Sequence, residues 1–140
     1  MPGSEAQLSY DRAEIIVFIM FATATELNTR EEIAAHFRRV VGFWRANAGG
    51  RKSYFVVDID NITININELE CYARETDKAQ EECAITSVRY GGNPIQRTLT
   101  RLGGMKIHRP SNLYETREEA LSVVRGLNRG ELKTTATAKK

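Results

Sequence analysis

Apolar residues recur along this chain with two different periods, and the alternation between them predicts the architecture. Residues 14–24, "EIIVFIMFATA", are rich in β-branched and aromatic side chains and too short for anything but a buried strand. "AQLSY" before it reads as an edge strand, with the turn at Asp11-Arg12. The next segment switches to helical spacing: Ile33, Phe37, Val40, Val41 and Trp44 form one apolar stripe. Thr29 and Glu32 have capping-box spacing at its start, and Gly49-Gly50 supplies the stop.

The pattern then repeats. "SYFVVDIDNITININ" is a second buried strand that leaves through polar residues, and a helix follows from about Glu68 to Glu82. Its inward face is predicted to carry Leu69, Tyr72, Thr76, Ala79 and Cys83. "AITSVRY" is a third strand. Asn93 as cap and Pro94 at the first helical position open a helix with Ile95, Leu99 and Leu102 inward, ended by Gly103-Gly104. "MKIHRP" is predicted as the last strand. Thr116 and Glu119 repeat the capping box ahead of a helix that turns Ala120, Val123, Val124 and Leu127 inward. The order β-β-α-β-α-β-α-β-α predicts an α/β fold with four helices and a mostly parallel sheet, because parallel neighbours need helical crossovers. The domain spans residues 6–128. Residues 129–140 have no apolar periodicity and read as a disordered basic tail.

The elements resemble those of the STAS superfamily, and more closely the bacterial SpoIIAA-like (STAS/SEC14-like) proteins. "YFVVDIDNITI", "VRYGGNPIQRTLTRLGGMKI" and "ETREEALSVV" carry the resemblance, as patterns of packing and capping. It implies a non-enzymatic protein-binding or regulatory module, with a partner met around the second helix and the loop before it. Regulatory STAS domains have an Asp-x-Ser-like phosphoacceptor where that helix begins. Here Asn65 and Asn67 stand in its place, and no Ser or Thr lies between Thr63 and Thr76. An asparagine cannot accept a phosphoryl group, so an anti-sigma-antagonist role would lack the usual switch.

Charge and candidate chemistry refine this only in places. A net charge of +2 on 140 residues does not suggest a nucleic-acid binder, and no apolar run reaches the roughly 18 residues of a membrane span. The N-terminus lacks the order of a secretory signal, which places the expectation in the cytoplasm. Cys71 and Cys83 lack metal-ligand spacing, and no cofactor is indicated. His36, beside the first helical stripe, and His108, at a strand end, read as structural or solvated.

The second helix is acidic: Glu68, Glu70, Glu75, Asp77, Glu81 and Glu82 face only Arg74 and Lys78. Either this is a solvated outer face, or, with Asn65 and Asn67, it docks a basic partner. A second reading places a small anion, nucleotide or lipid at the C-terminal ends of the strands, near Asp58, Gly91, Gly92, Asn93 and Arg97. Against it, the turn lacks a Walker lysine, and Asn93 can satisfy the free helix N–H groups itself. Asp58 and Asp60 share a strand face without a visible third ligand, so no metal site is assigned. An enzyme ranks last, since no nucleophile and base can be assembled from spacing. The reading leaves room for a weak homodimer.

Overall fold

The computed structural model describes residues 6–130. Its main sheet has the order β1-β2-β4-β6-β7, built from Gln7–Asp11, Ile16–Met20, Ser53–Asp58, Ala84–Tyr90 and Leu113–Tyr114. Only β1 runs antiparallel; the remaining pairs are parallel, as the helical crossovers require. Two further short strands, β3 (Thr25–Leu27) and β5 (Ile62–Ile64), pair in parallel beyond the ends of β2 and β4. The segment 53–67, read as one strand, is therefore broken once and pairs twice, and β3 lies just beyond the first predicted strand at 14–24. Asn61 bridges the break: its side-chain amide donates to the Phe21 carbonyl at 2.7 Å, and its own carbonyl accepts from Thr25 N–H.

Helices α1 (Arg30–Ala48), α2 (Leu69–Cys83) and α3 (Pro94–Lys106) cover one face of the sheet, and α4 (Arg117–Asn128) covers the other. Ile33, Val40 and Trp44 from α1, Leu69 from α2 and Leu99 from α3 pack with Val17, Ile19 and Phe55. On the opposite face Ala120, Leu121 and Val124 meet Ile16, Tyr54, Val56 and Val88. Both "TREE" segments form capping boxes with nearly the same cap geometry, at Thr29 and Thr116. Local capping chemistry accounts for their identity.

The region after Gly103 departs from the sequence reading. The helix does not stop at Gly103-Gly104 but runs to Lys106, so "MKIHRP" is not a strand. The last strand is the two-residue pairing of Leu113–Tyr114 with Arg89–Tyr90. These glycines serve packing. A Cβ at Gly104 would stand 2.8 Å from the Arg109 carbonyl, and one at Gly103 would touch Leu69. Arg109 N–H donates back to the Gly104 carbonyl at 3.0 Å, folding the chain against the end of α3. The inward face of α3 also differs from expectation: Gln96, Leu99 and Gly103 are buried, whereas Ile95 and Leu102 point outward. The segment assigned to a basic tail lies outside the described residues from 131 onward.

Candidate functional site

The Gly-rich turn after β6 is held by the chain's own groups. Gly91 and Gly92 both have positive φ, and Gly92 N–H donates to Asp60 Oδ1 at 2.7 Å. A Cβ on Gly91 would fall 2.5 Å from that same oxygen, so only glycine admits the carboxylate. Asn93 Oδ1 accepts from Gln96 N–H while Gln96 Oε1 accepts from Asn93 N–H, closing the cap. Gln96 Nε2 also donates to the carbonyls of Asp60 and Ile62, which ties α3 to the loop between β4 and β5. Arg97 donates from Nη1 to the Gly91 and Tyr114 carbonyls and pairs with Glu115 at 3.5 Å. The turn thus receives an anion from within the molecule, Asp60, and Arg97 is engaged with backbone carbonyls. Asp58 lies beside them. Its Oδ1 accepts from Asp60 N–H at 2.9 Å, and desolvation raises the carboxyl pKa above its ordinary value.

At the entrance to α2, Asn65 Oδ1 accepts from Asn67 N–H and the Asn65 carbonyl accepts from Glu68 N–H, making a single 3₁₀ turn, Ile66–Glu68. Asn67 is exposed and caps nothing; the cap residue of α2 is Glu68, without a side-chain cap bond. Ile66 between the two asparagines is exposed.

The acidic residues of α2 are paired within the chain. Glu68 meets Arg30 at 3.5 Å, Glu70 meets Arg74 at 3.2 Å, Glu75 meets Lys78 at 3.1 Å, and Glu82 pairs with Arg45. Asp77 and Glu81 do more. They hold Arg109 Nε at 2.6 Å and Nη2 at 2.8 Å, and the Arg109 side chain is only 3% exposed. Spacing alone cannot show this, because the cation arrives from 28 residues beyond Glu81. The available signal was an arginine directly before Pro110, at the end of the segment read as the last strand.

The outward side of α3 is different. Ile95, Leu102 and Met105 recur at near-heptad spacing and lie exposed along one flank. Leu69 lies against the buried Gly103, so α2 and α3 are neighbours, and exposed Ile66 stands in the turn three residues before Leu69. Segment 94–106 contains no acidic residue and has exposed Arg101 and Lys106.

Other reactive groups are shielded. His36 packs between Phe21 and Phe37, and burial, helped by nearby Arg39, lowers its pKa to about 4. Cys83 is buried, and desolvation pushes its thiol up to about 12. Among the described residues, no group of three His, Cys, Asp or Glu side chains could hold a metal ion, and no helix is long and apolar enough to cross a membrane.

The geometry has a counterpart among solved structures. The chain superposes on part of SLC26A9, a protein that contains a STAS domain, with a TM-score of 0.55 at 8% sequence identity, over 88% of this chain. It spans 22% of that protein's length, so the likeness is one of fold alone. The fold is STAS-like. No protein-family model matches the sequence, and no curated protein does either.

Proposed function

We propose that the chain is a non-enzymatic STAS-like binding module whose docking surface is the outward flank of α3 with the turn that opens α2. One observation carries the reading: Ile95, Met105 and Ile66 are 68%, 69% and 65% exposed, on adjoining elements of a domain whose other large apolar residues are mostly covered. Exposed apolar side chains gathered on neighbouring elements mark interaction surfaces. Arg101 and Lys106 on the same helix give the rim a positive charge, so the partner is a protein with an apolar patch and an acidic border.

The charges on α2 support only part of an acidic docking surface. Asn65, Asn67 and Glu68 stay within the proposed contact, at the α2 entrance. Asp77 and Glu81 are occupied with Arg109, and Glu75 with Lys78. The segment from Ile64 to Cys71 has no hydroxyl side chain, so the interaction is not switched by phosphorylation there. An anion at the strand ends is not the preferred reading, since Asp60 already occupies the Gly92 N–H and Arg97 holds backbone carbonyls.

The test is an affinity capture from the native host, run in parallel with three baits: the parent chain, Ile95→Asp/Met105→Asp, and Glu70→Gln/Glu75→Gln. A protein retained by the parent and the glutamine variant but lost with the aspartate variant supports the surface. Retention by all three baits contradicts it.

A further inference from the structure

Arg89 is a charged residue in the middle of the parallel sheet. It follows Val88 on β6 and extends to the three-helix face, beneath α2. Its backbone pairs along the strand, and Nη1 donates to the Ser111 carbonyl at 2.9 Å. Among the described residues no carboxylate pairs with it, and the Tyr72 phenol lies close by. Desolvation holds its pKa below the ordinary arginine value. Arg89 is half-buried, and a guanidinium partly withdrawn from water without a counter-charge carries a desolvation cost that a bound anion would offset.

Those surroundings are two clefts. One, of about 50 Å³, opens between α2 and α3; the other, of about 60 Å³, opens between α1 and α2. Both are lined by the same five residues: Ile62, Tyr72, Thr76, Gln80 and Arg89. Arg89 therefore stands where the two meet, with Tyr72, Thr76 and Gln80 of α2 lining the same junction. Leu69 and Leu99 on one side, and Phe37 and Val57 on the other, make the walls largely apolar, with Gln96, Thr100 and the clamped Arg109 also lining the first cleft and His36 the second. Each cleft has room for a few water-sized groups and no more.

We propose that this junction is a binding site for a small organic monocarboxylate, its carboxylate on Arg89 and its short apolar tail in one of the flanking clefts. A planar carboxylate matches the guanidinium fork with two parallel hydrogen bonds. A phosphate or sulfate would press additional hydrated oxygens against largely apolar walls. The volume limits the tail to a few carbons. This site is separate from the strand-end turn and from the α3 flank, and stands or falls independently of the docking surface.

The probe is sodium butyrate, added to the full chain at pH 7 and constant ionic strength, with sodium chloride and neutral butyramide as controls. A ligand bound to the folded state alone raises the unfolding midpoint with concentration. The expected result is a saturable rise with butyrate, none with butyramide or chloride, and its loss in Arg89→Met. A butyrate effect equal to that of butyramide, or preserved in Arg89→Met, overturns the site. Should Arg89→Met not fold, the parent chain decides. Two-dimensional NMR should show butyrate moving the Arg89 Nε–Hε signal and the Gln80 side-chain amide signals in a saturable way. Titration with no movement of either overturns the proposal.

Discussion

Helices α2 and α3 lie side by side on the same face of the sheet, yet their outer surfaces invert what their sequences suggest. α2 carries a run of acids that looks like a docking surface, and each is matched by a cation of the same chain. α3 carries an apolar pattern that looks like core, and much of it faces outward. A surface charge is available to a partner only insofar as the fold has left it unmatched. An apolar residue belongs to the core only if another element reaches it. On these criteria the proposed binding surface lies on α3 rather than on α2.

The largest expected effect comes from the Arg109 clamp. Replacing Asp77 and Glu81 together with alanine strands a buried guanidinium and should lower stability by about 3–5 kcal/mol, read from denaturant midpoints. Glu75→Ala, on the same helix but in an ordinary surface pair, should change stability by less than about 1 kcal/mol. Equal effects would erase the distinction between clamp and surface.

His36 supplies the next test. It titrates near its usual 6.5 in the unfolded chain but stays neutral in the fold down to about 4. Unfolding therefore takes up a proton between those values. Stability is intact above the upper one and falls as the pH drops toward the lower, by about 3 kcal/mol in full. His36→Phe, which keeps the aromatic contacts with Phe21 and Phe37, should flatten that part of the pH–stability curve.

On the α3 flank, Ile95→Ser and Met105→Ser should each shift stability by less than about 0.5 kcal/mol, since both side chains are already in solvent. A larger loss would mean that the stripe is core after all. The smallest perturbation is chemical. Native-state alkylation should leave Cys83 unmodified, because its thiol is buried and its pKa is raised to about 12; modification at the rate of a free thiol would place it at the surface.

The sequence made local features legible and long-range ones obscure. Caps at Thr29, Asn93 and Thr116 and the α1 stripe are set by residues near one another in sequence, and all are present, whereas the strand predicted at "MKIHRP" is not. Gly103 and Gly104 misled because glycine signals a stop as readily as a close contact, and the contacts come from Leu69 and Arg109. Periodicity showed that Ile95 and Leu102 lie near Leu99 on the helix without showing which part of that arc the neighbours reach. Arg89 offers a signal of its own in the sequence: a charged residue directly after the apolar run of an inner strand. The Arg109 clamp depends on residues 28 and 32 positions apart, which no local pattern encodes.

The most direct test of the central claim is the dissociation constant for the captured partner, measured by calorimetry. The parent chain, Ile95→Asp/Met105→Asp and Glu70→Gln/Glu75→Gln are compared at one ionic strength. The aspartate pair should weaken binding by about tenfold or more, equivalent to about 1.4 kcal/mol, with a smaller heat-capacity change because less apolar surface is buried. The glutamine pair should leave the constant nearly unchanged. An unchanged constant for the aspartate pair, together with a marked loss for the glutamine pair, would return the docking surface to α2 and contradict the account.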